Sequence, residues 1–223
     1  MPQDNSICIS RLILIPSLIT LGVTILRLVG ELRHWPTVLF NPAPGGGGAI
    51  VGISWLPIIF GIYFALKLAG AGAGATSLGK AIGYTLLGLL VNVGGIALEV
   101  ASHSSNFRSA ALGWGSALVF AVSAAIPIVG WPSLGKTLLA YAYAARIPVA
   151  IIMYFAIRGS WGTHYDGPPP NFPEMSFWPK YIMIGLAPQL IGWIAFTIIV
   201  GMLFGIVATA IARRGKAPAH AAS

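Results

Sequence analysis

The chain has 223 residues, of which 57% are hydrophobic and only 8% charged, and its formal net charge is +8. Soluble globular proteins carry about 25% charged residues, so this composition excludes an ordinary soluble enzyme or nucleic-acid-binding domain and makes lipid the main solvent. The single cysteine, Cys8, excludes an internal disulfide and a cysteine-built metal cluster.

A membrane span needs about 20 apolar residues. In chain order, the apolar runs predict spans at Leu12–Gly30, Ala49–Leu68, Ala81–Ala101, Ala110–Gly130, Thr137–Ile157 and Tyr181–Ile211. The first run lacks an A-x-A cleavage site and reads as a retained helix, not a removed leader. The last is long enough to tilt, or to kink at Pro188. The expectation is one all-α domain over 1–223, a multi-pass bundle of six transmembrane helices.

An even count of spans puts both termini on one side. The tail Arg213-Arg214-Gly215-Lys216 marks that side as cytoplasmic, because short cytoplasmic segments are enriched in Lys and Arg. Arg11, Lys67, Lys80 and Lys136 then fall inside, opposed only by Asp4. The outer face collects Glu31, Glu99, Asp166 and Glu174, with His34, His103 and His164 and the basic Arg33, Arg108, Arg158 and Lys180. Trp35, Trp114, Trp161 and Trp178 also fall there, as an interfacial aromatic belt. The expected location is the inner membrane of a bacterial-type cell.

Two outer loops stand out. Asn41 to Gly48 ends in four consecutive glycines. Ser160 to Lys180 is the longest loop, rich in Trp, His, Tyr and Phe and stiffened by Pro168-Pro169-Pro170. Its composition suits either a plain connector or a lid that folds back on the bundle.

The ionisable residues give the candidate chemistry. Arg27, Glu31 and His34 are spaced i, i+4, i+7 and share a face if the first helix continues past Gly30. Asn92, Glu99 and His103 are spaced i, i+7, i+11 on the third helix. Histidine and carboxylate are ordinary zinc ligands, so Glu31, His34, His103 and His164 form a candidate site for a divalent metal. His164 and Asp166 equally suit a metal-free acid–base pair. An Arg27–Glu31 surface ion pair is the plainer account, and no compact motif such as H-E-x-x-H is present.

Arg146 is the sharper anomaly, because it falls near the middle of the fifth span. A midplane arginine costs at least about 2.5–3.5 kcal/mol, so it faces protein or water. Asn92 and Gln189 fall at similar depth, and Glu99 lies roughly 10 Å higher at about 1.5 Å per residue. Arg146 therefore either pairs with Glu99 or awaits an anion, and Arg146, Asn92, Gln189 and Glu99 form the candidate substrate site.

Gly130-Trp131-Pro132-Ser133-Leu134-Gly135-Lys136-Thr137 spells the phosphate-loop expression GxxxxGK[ST]. That chemistry needs a strand before the loop, and an apolar helix stands there instead. Neither nucleotide nor nucleic acid is expected. Gly201-Met202-Leu203-Phe204-Gly205 is a GxxxG step suited to close helix packing, within the chain or between copies.

Three classes of function remain open. One is binding or transport of an anionic or lipid-like solute from the outer side. The second is a non-catalytic subunit of a larger membrane complex. The third is an outer-leaflet enzyme, metal-dependent or not. The sequence does not decide whether the protein is an enzyme. Its expected partners are the lipid bilayer and further membrane subunits, its own copies included.

Overall fold

The computed structural model describes residues 8–103, 110–170 and 172–214. Arg108, Gly215, Lys216 and Asp4 lie outside them, as does the side chain of His103. The described residues form helices and loops, with no strand. Helix α1 is Ile9–Leu32, α2 Leu56–Gly70, α3 Leu78–His103, α4 Ala110–Gly130 and α5 Pro132–Gly159. The last helical run, Phe177–Arg214, opens with the four-residue α6, Phe177–Lys180. It continues through two π-helical stretches, Tyr181–Leu186 and Pro188–Gly192, into α7, Trp193–Arg214.

Five described helices are long and apolar enough to cross a membrane: Ile9–Leu32, Leu78–Ser102, Gly113–Gly130, Pro132–Gly159 and Phe177–Arg214. Helix α2 has 15 residues, shorter than the run Ala49–Leu68 expected to span. Ahead of it the chain turns instead of coiling. Ile50 and Val51 donate their N–H groups to the carbonyls of Val38 and Leu39. Pro57 then starts the helix, where its missing N–H costs nothing.

Helices α2, α5 and α7 build the core. Phe64, Leu134, Leu138, Ile198 and Met202 are fully buried there, and Phe60, Phe64 and Tyr141 pack edge-on. Helix α1 lies against α5, while α3 pairs with α4 and packs on α7. Large apolar side chains point outward along the helices, among them Ile15, Leu18, Leu90, Leu118 and Ile151. A soluble monomer rarely exposes such continuous apolar surface, but hydrocarbon is a suitable solvent for it.

Glycine sets the closest approach. A Cβ at Gly61 of α2 would collide with the backbone of Gly201 of α7, and one at Gly205 would meet Ala65. The GxxxG step at Gly201 and Gly205 is thus used inside the chain.

The two ends of the bundle are tied differently. At one end Trp131 Nε1 and Ser133 Oγ donate to the Ala73 carbonyl at 2.9 and 2.6 Å, and Arg213 reaches the Ala75 carbonyl at 3.3 Å. These bonds gather the α4–α5 turn and the end of α7 around the α2–α3 loop. The phosphate-loop look-alike is that α4–α5 turn, with a helix before it, Trp131 buried and Lys136 exposed. At the opposite end, the loop after α5 lies over the end of α1.

Candidate functional site

Glu31 lies in the last turn of α1, and its side chain is fully hidden from solvent. Arg27, one turn earlier, donates Nε to Glu31 Oε1 at 2.8 Å. His164 contributes two contacts from the loop after α5: its backbone N–H to Oε2 at 2.9 Å, and its ring Nδ1 to Oε1 at 2.6 Å. Arg27 also donates to the Asn41 carbonyl at 3.2 Å, which draws the glycine-rich loop to the same point. Asn41 in turn holds that loop through Gly47 O and Ala43 N–H.

Asp166 shapes the turn that presents His164. Its carboxylate accepts from the Gly162 and Thr163 N–H groups at 2.9 and 2.7 Å, and from the Thr163 hydroxyl at 2.7 Å. Gly162 adopts φ +72°, a left-handed conformation that glycine takes without steric cost. The adjacent Tyr165 is buried, and its hydroxyl donates to the Thr24 carbonyl at 3.3 Å. Burial pushes the Tyr165 phenol well above its usual range, and Glu31 adds to the rise. Burial also holds the His164 imidazole below its ordinary value; Arg27 adds to that, and Glu31 opposes it. The ring is therefore neutral near pH 7, and the 2.6 Å contact assigns its proton to Nδ1, donating to the carboxylate.

A polar seam continues inward along α1. Pro16, Thr20, Thr24, Arg27 and Glu31 are its buried positions, spaced three or four apart on one face. Thr20 meets the Tyr141 hydroxyl of α5 at 2.8 Å.

Arg146 sits one turn and a residue beyond Tyr141 on α5 and is only 4% exposed. Its Nη1 donates to Gln189 Oε1 at 3.2 Å, and its guanidinium lies 4.3 Å from the centre of the Trp193 ring. The π-helical stretch Pro188–Gly192 ends between these two partners, so its widened turn presents both to α5. The expected Arg146–Glu99 pair is absent from the described ion pairs, both of which use Glu31.

Trp193 also lines a cleft of about 830 Å³ between the α3–α4 hairpin and the start of the last helical run. Ile96, Ala117, Phe120, Ile191 and Phe196 give it apolar walls, and Pro170, Phe172 and Pro173 also line it. Its polar lining is sparse and includes Asn92, Glu99, Ser102 and Ser116. Asn92 donates Nδ2 to Ser123 Oγ at 3.1 Å, not to Arg146.

The sequence-derived candidates thus divide into separate places. Glu31 and His164 meet. His34 is exposed just beyond α1 at φ 52°, and His103 closes α3 with its side chain outside the described residues. Among the described residues no group of three or more His, Cys, Asp or Glu side chains could hold a metal ion. Arg146 meets Gln189, while Asn92 and Glu99 line the cleft. Sequence reasoning missed Trp193, Tyr165 and Tyr141. The one available signal was spacing: Trp193 follows Gln189 by four residues, and Thr20 and Thr24 continue the Arg27–Glu31 face. No family model, curated protein or solved structure matches the chain.

Proposed function

We propose that this protein binds a lipid-like amphiphile in the cleft between the α3–α4 hairpin and the last helical run. The cleft itself carries the reading. Its volume of about 830 Å³ falls within the range of roughly 300–1,000 Å³ common for small-molecule sites. Its walls are mainly apolar, with a few polar groups that would orient a headgroup. Trp114 and Met183, on its lining, are exposed on the bundle surface, so an acyl chain has a lateral route in from lipid.

The setting we propose is a six-span bundle in a bacterial-type inner membrane, with both termini cytoplasmic. Helix α2 would be the sixth, short span, completed by the turn-rich residues before it. Lys67, Lys80, Lys136, Arg213 and Arg214 lie at the Trp131 end, which supports a cytoplasmic assignment for that end. The cleft would then open toward the outer leaflet, where exposed Trp35, Trp114, Trp161 and Trp178 suit the interface.

Extraction into native lipid nanodiscs, followed by lipid mass spectrometry, tests the reading. The wild-type protein should carry an amphiphile enriched over the surrounding lipid. Ala117→Phe, which fills the cleft, should lose it while staying folded. No enrichment in the wild type, or equal enrichment in both, would overturn the proposal.

A further inference from the structure

A buried charge lies against Trp193, one of the residues that line the cleft. Arg146 is more than nine-tenths buried, and a guanidinium offers five N–H donors. Among the described residues one of those donors is used, on neutral Gln189, and no carboxylate pairs with it. Gln189 and the Trp193 ring spread the charge without neutralising it. A cation held this deep in a low-dielectric bundle without an anion is costly. The site is therefore electrostatically incomplete.

Trp193 connects that charge to the cleft. Its ring lies against the guanidinium, and the residue lines the cleft. Trp193 is thus held on the Arg146 side by a cation–π contact that a better counter-ion would outcompete. We infer that Arg146 receives the oxyanion of the amphiphile, a carboxylate or phosphate, when Trp193 swings off the guanidinium. This inference rests on the cleft reading and specifies the headgroup. A planar, bidentate fork suits carboxylate and phosphate alike, whereas lysine offers only a point charge.

The test uses the full chain in phosphatidylcholine nanodiscs, with oleate and monoolein as probes. They share one acyl chain and differ in headgroup charge. The wild type should retain oleate over monoolein by about tenfold, the factor that 1.4 kcal/mol supplies. Arg146→Gln should bring that ratio to about one, and Arg146→Lys should lose most of it. If Arg146→Gln does not fold, Gln189→Glu decides, because it gives Arg146 an internal carboxylate. It should stay folded, release oleate and keep monoolein. Displacement of oleate by inorganic phosphate would support the site and show that a free oxyanion suffices. No displacement, with the ratio intact, would support it and tie it to a lipid headgroup. Equal retention of both probes by the wild type leaves the cleft standing and overturns the Arg146 inference. So does a ratio unchanged in Arg146→Gln and Gln189→Glu. If neither probe is retained above an empty nanodisc, the cleft reading and this inference fail together.

Discussion

Glu31 and His164 are separated by 133 residues in sequence and by 2.6 Å in space. Their contact joins the end of α1 to the loop after α5. That same loop supplies Pro170, Phe172 and Pro173 to the cleft. One buried carboxylate therefore anchors the loop that contributes part of the lining of the candidate binding site.

Removing Glu31 should cost more than removing His164. Glu31→Ala takes the carboxylate away from the buried Arg27 guanidinium and removes both His164 contacts, a loss of about 3–5 kcal/mol. His164→Ala removes two side-chain contributions at most, its ring bond and its packing on Tyr165, and should cost about 1–3 kcal/mol. Its backbone bond to Glu31 survives the change. Thermal unfolding of the detergent-purified variants measures the order. A larger loss for His164→Ala would show that Glu31 is not the centre of this contact.

The latch should also weaken in acid. His164 is held below its ordinary value of about 6.5. A depressed histidine binds its proton more readily in the unfolded chain. Its stabilising contribution is therefore present above about pH 6.5 and is lost as pH falls through the folded value. Glu31, Arg27 and Asp166 are the charged groups that face it, and Glu31 and Asp166 narrow the window by pulling the value up. The melting temperature of the wild type should drop as pH falls below about 6.5, and that of His164→Gln should drop less. Parallel curves for the two proteins would exclude His164 as the titrating group.

Much of the fold was legible from hydrophobicity alone. Apolar run length located α1, α3, α4, α5 and α7, because lipid demands long uninterrupted helices. It misplaced the start of α2, because Ile50 and Val51 are as apolar in a turn as in a helix. The site was legible only in part. The spacing of Arg27 and Glu31 revealed a shared helix face, but not its partner. Nothing local links His164 to α1, since that contact depends on how the helices pack and where the Asp166 turn aims the loop. The depth of Arg146 in its span marked it as anomalous. Its pairing with Trp193 depended on the π-helical turns at Pro188–Gly192, which no sequence periodicity marks.

Arg146 and Glu99 should behave independently. With no ion pair between them among the described residues, the effect of Glu99→Gln on thermal stability should be the same in the wild type and in Arg146→Ala, within about 0.5 kcal/mol. Arg146→Ala removes a buried side chain that packs on Trp193 and bonds Gln189, and should cost about 1–3 kcal/mol. A double variant should show additive losses. Strong coupling between the two sites would restore the pairing that the geometry lacks.

Glycines in the bundle should respond in opposite directions to one methyl group. Gly61→Ala drives a Cβ into the Gly201 backbone, which cannot move aside as a flexible side chain would. A loss of about 1–3 kcal/mol is expected, the usual cost of overpacking. Gly94→Ala, in the middle of α3, meets nothing within 4 Å. Alanine should stabilise that helix by about 0.5–1 kcal/mol. Monodispersity on gel filtration and thermal midpoints separate the two. Equal tolerance at both positions would mean that α2 and α7 are not in close contact.

Orientation is tested by the two ends of the bundle in one membrane. Pro169 is exposed in the loop after α5, and Gly72 is exposed in the α2–α3 loop at the opposite end. Thr163 is a poor probe despite lying in the same loop as Pro169, because it is buried and bonded to Asp166. With Cys8 replaced by serine, Pro169→Cys should react with a membrane-impermeant maleimide on intact cells. Gly72→Cys should react only after the membrane is opened. That pattern follows from the basic residues at the Gly72 end, since lysine and arginine are retained on the cytoplasmic side. The reverse pattern would invert the bundle, put the cleft in the inner leaflet and redirect the search for its ligand to the cytoplasmic side. Labelling of both positions from one side would contradict the antiparallel path of α2 through α5 and, with it, the membrane-spanning reading of the fold.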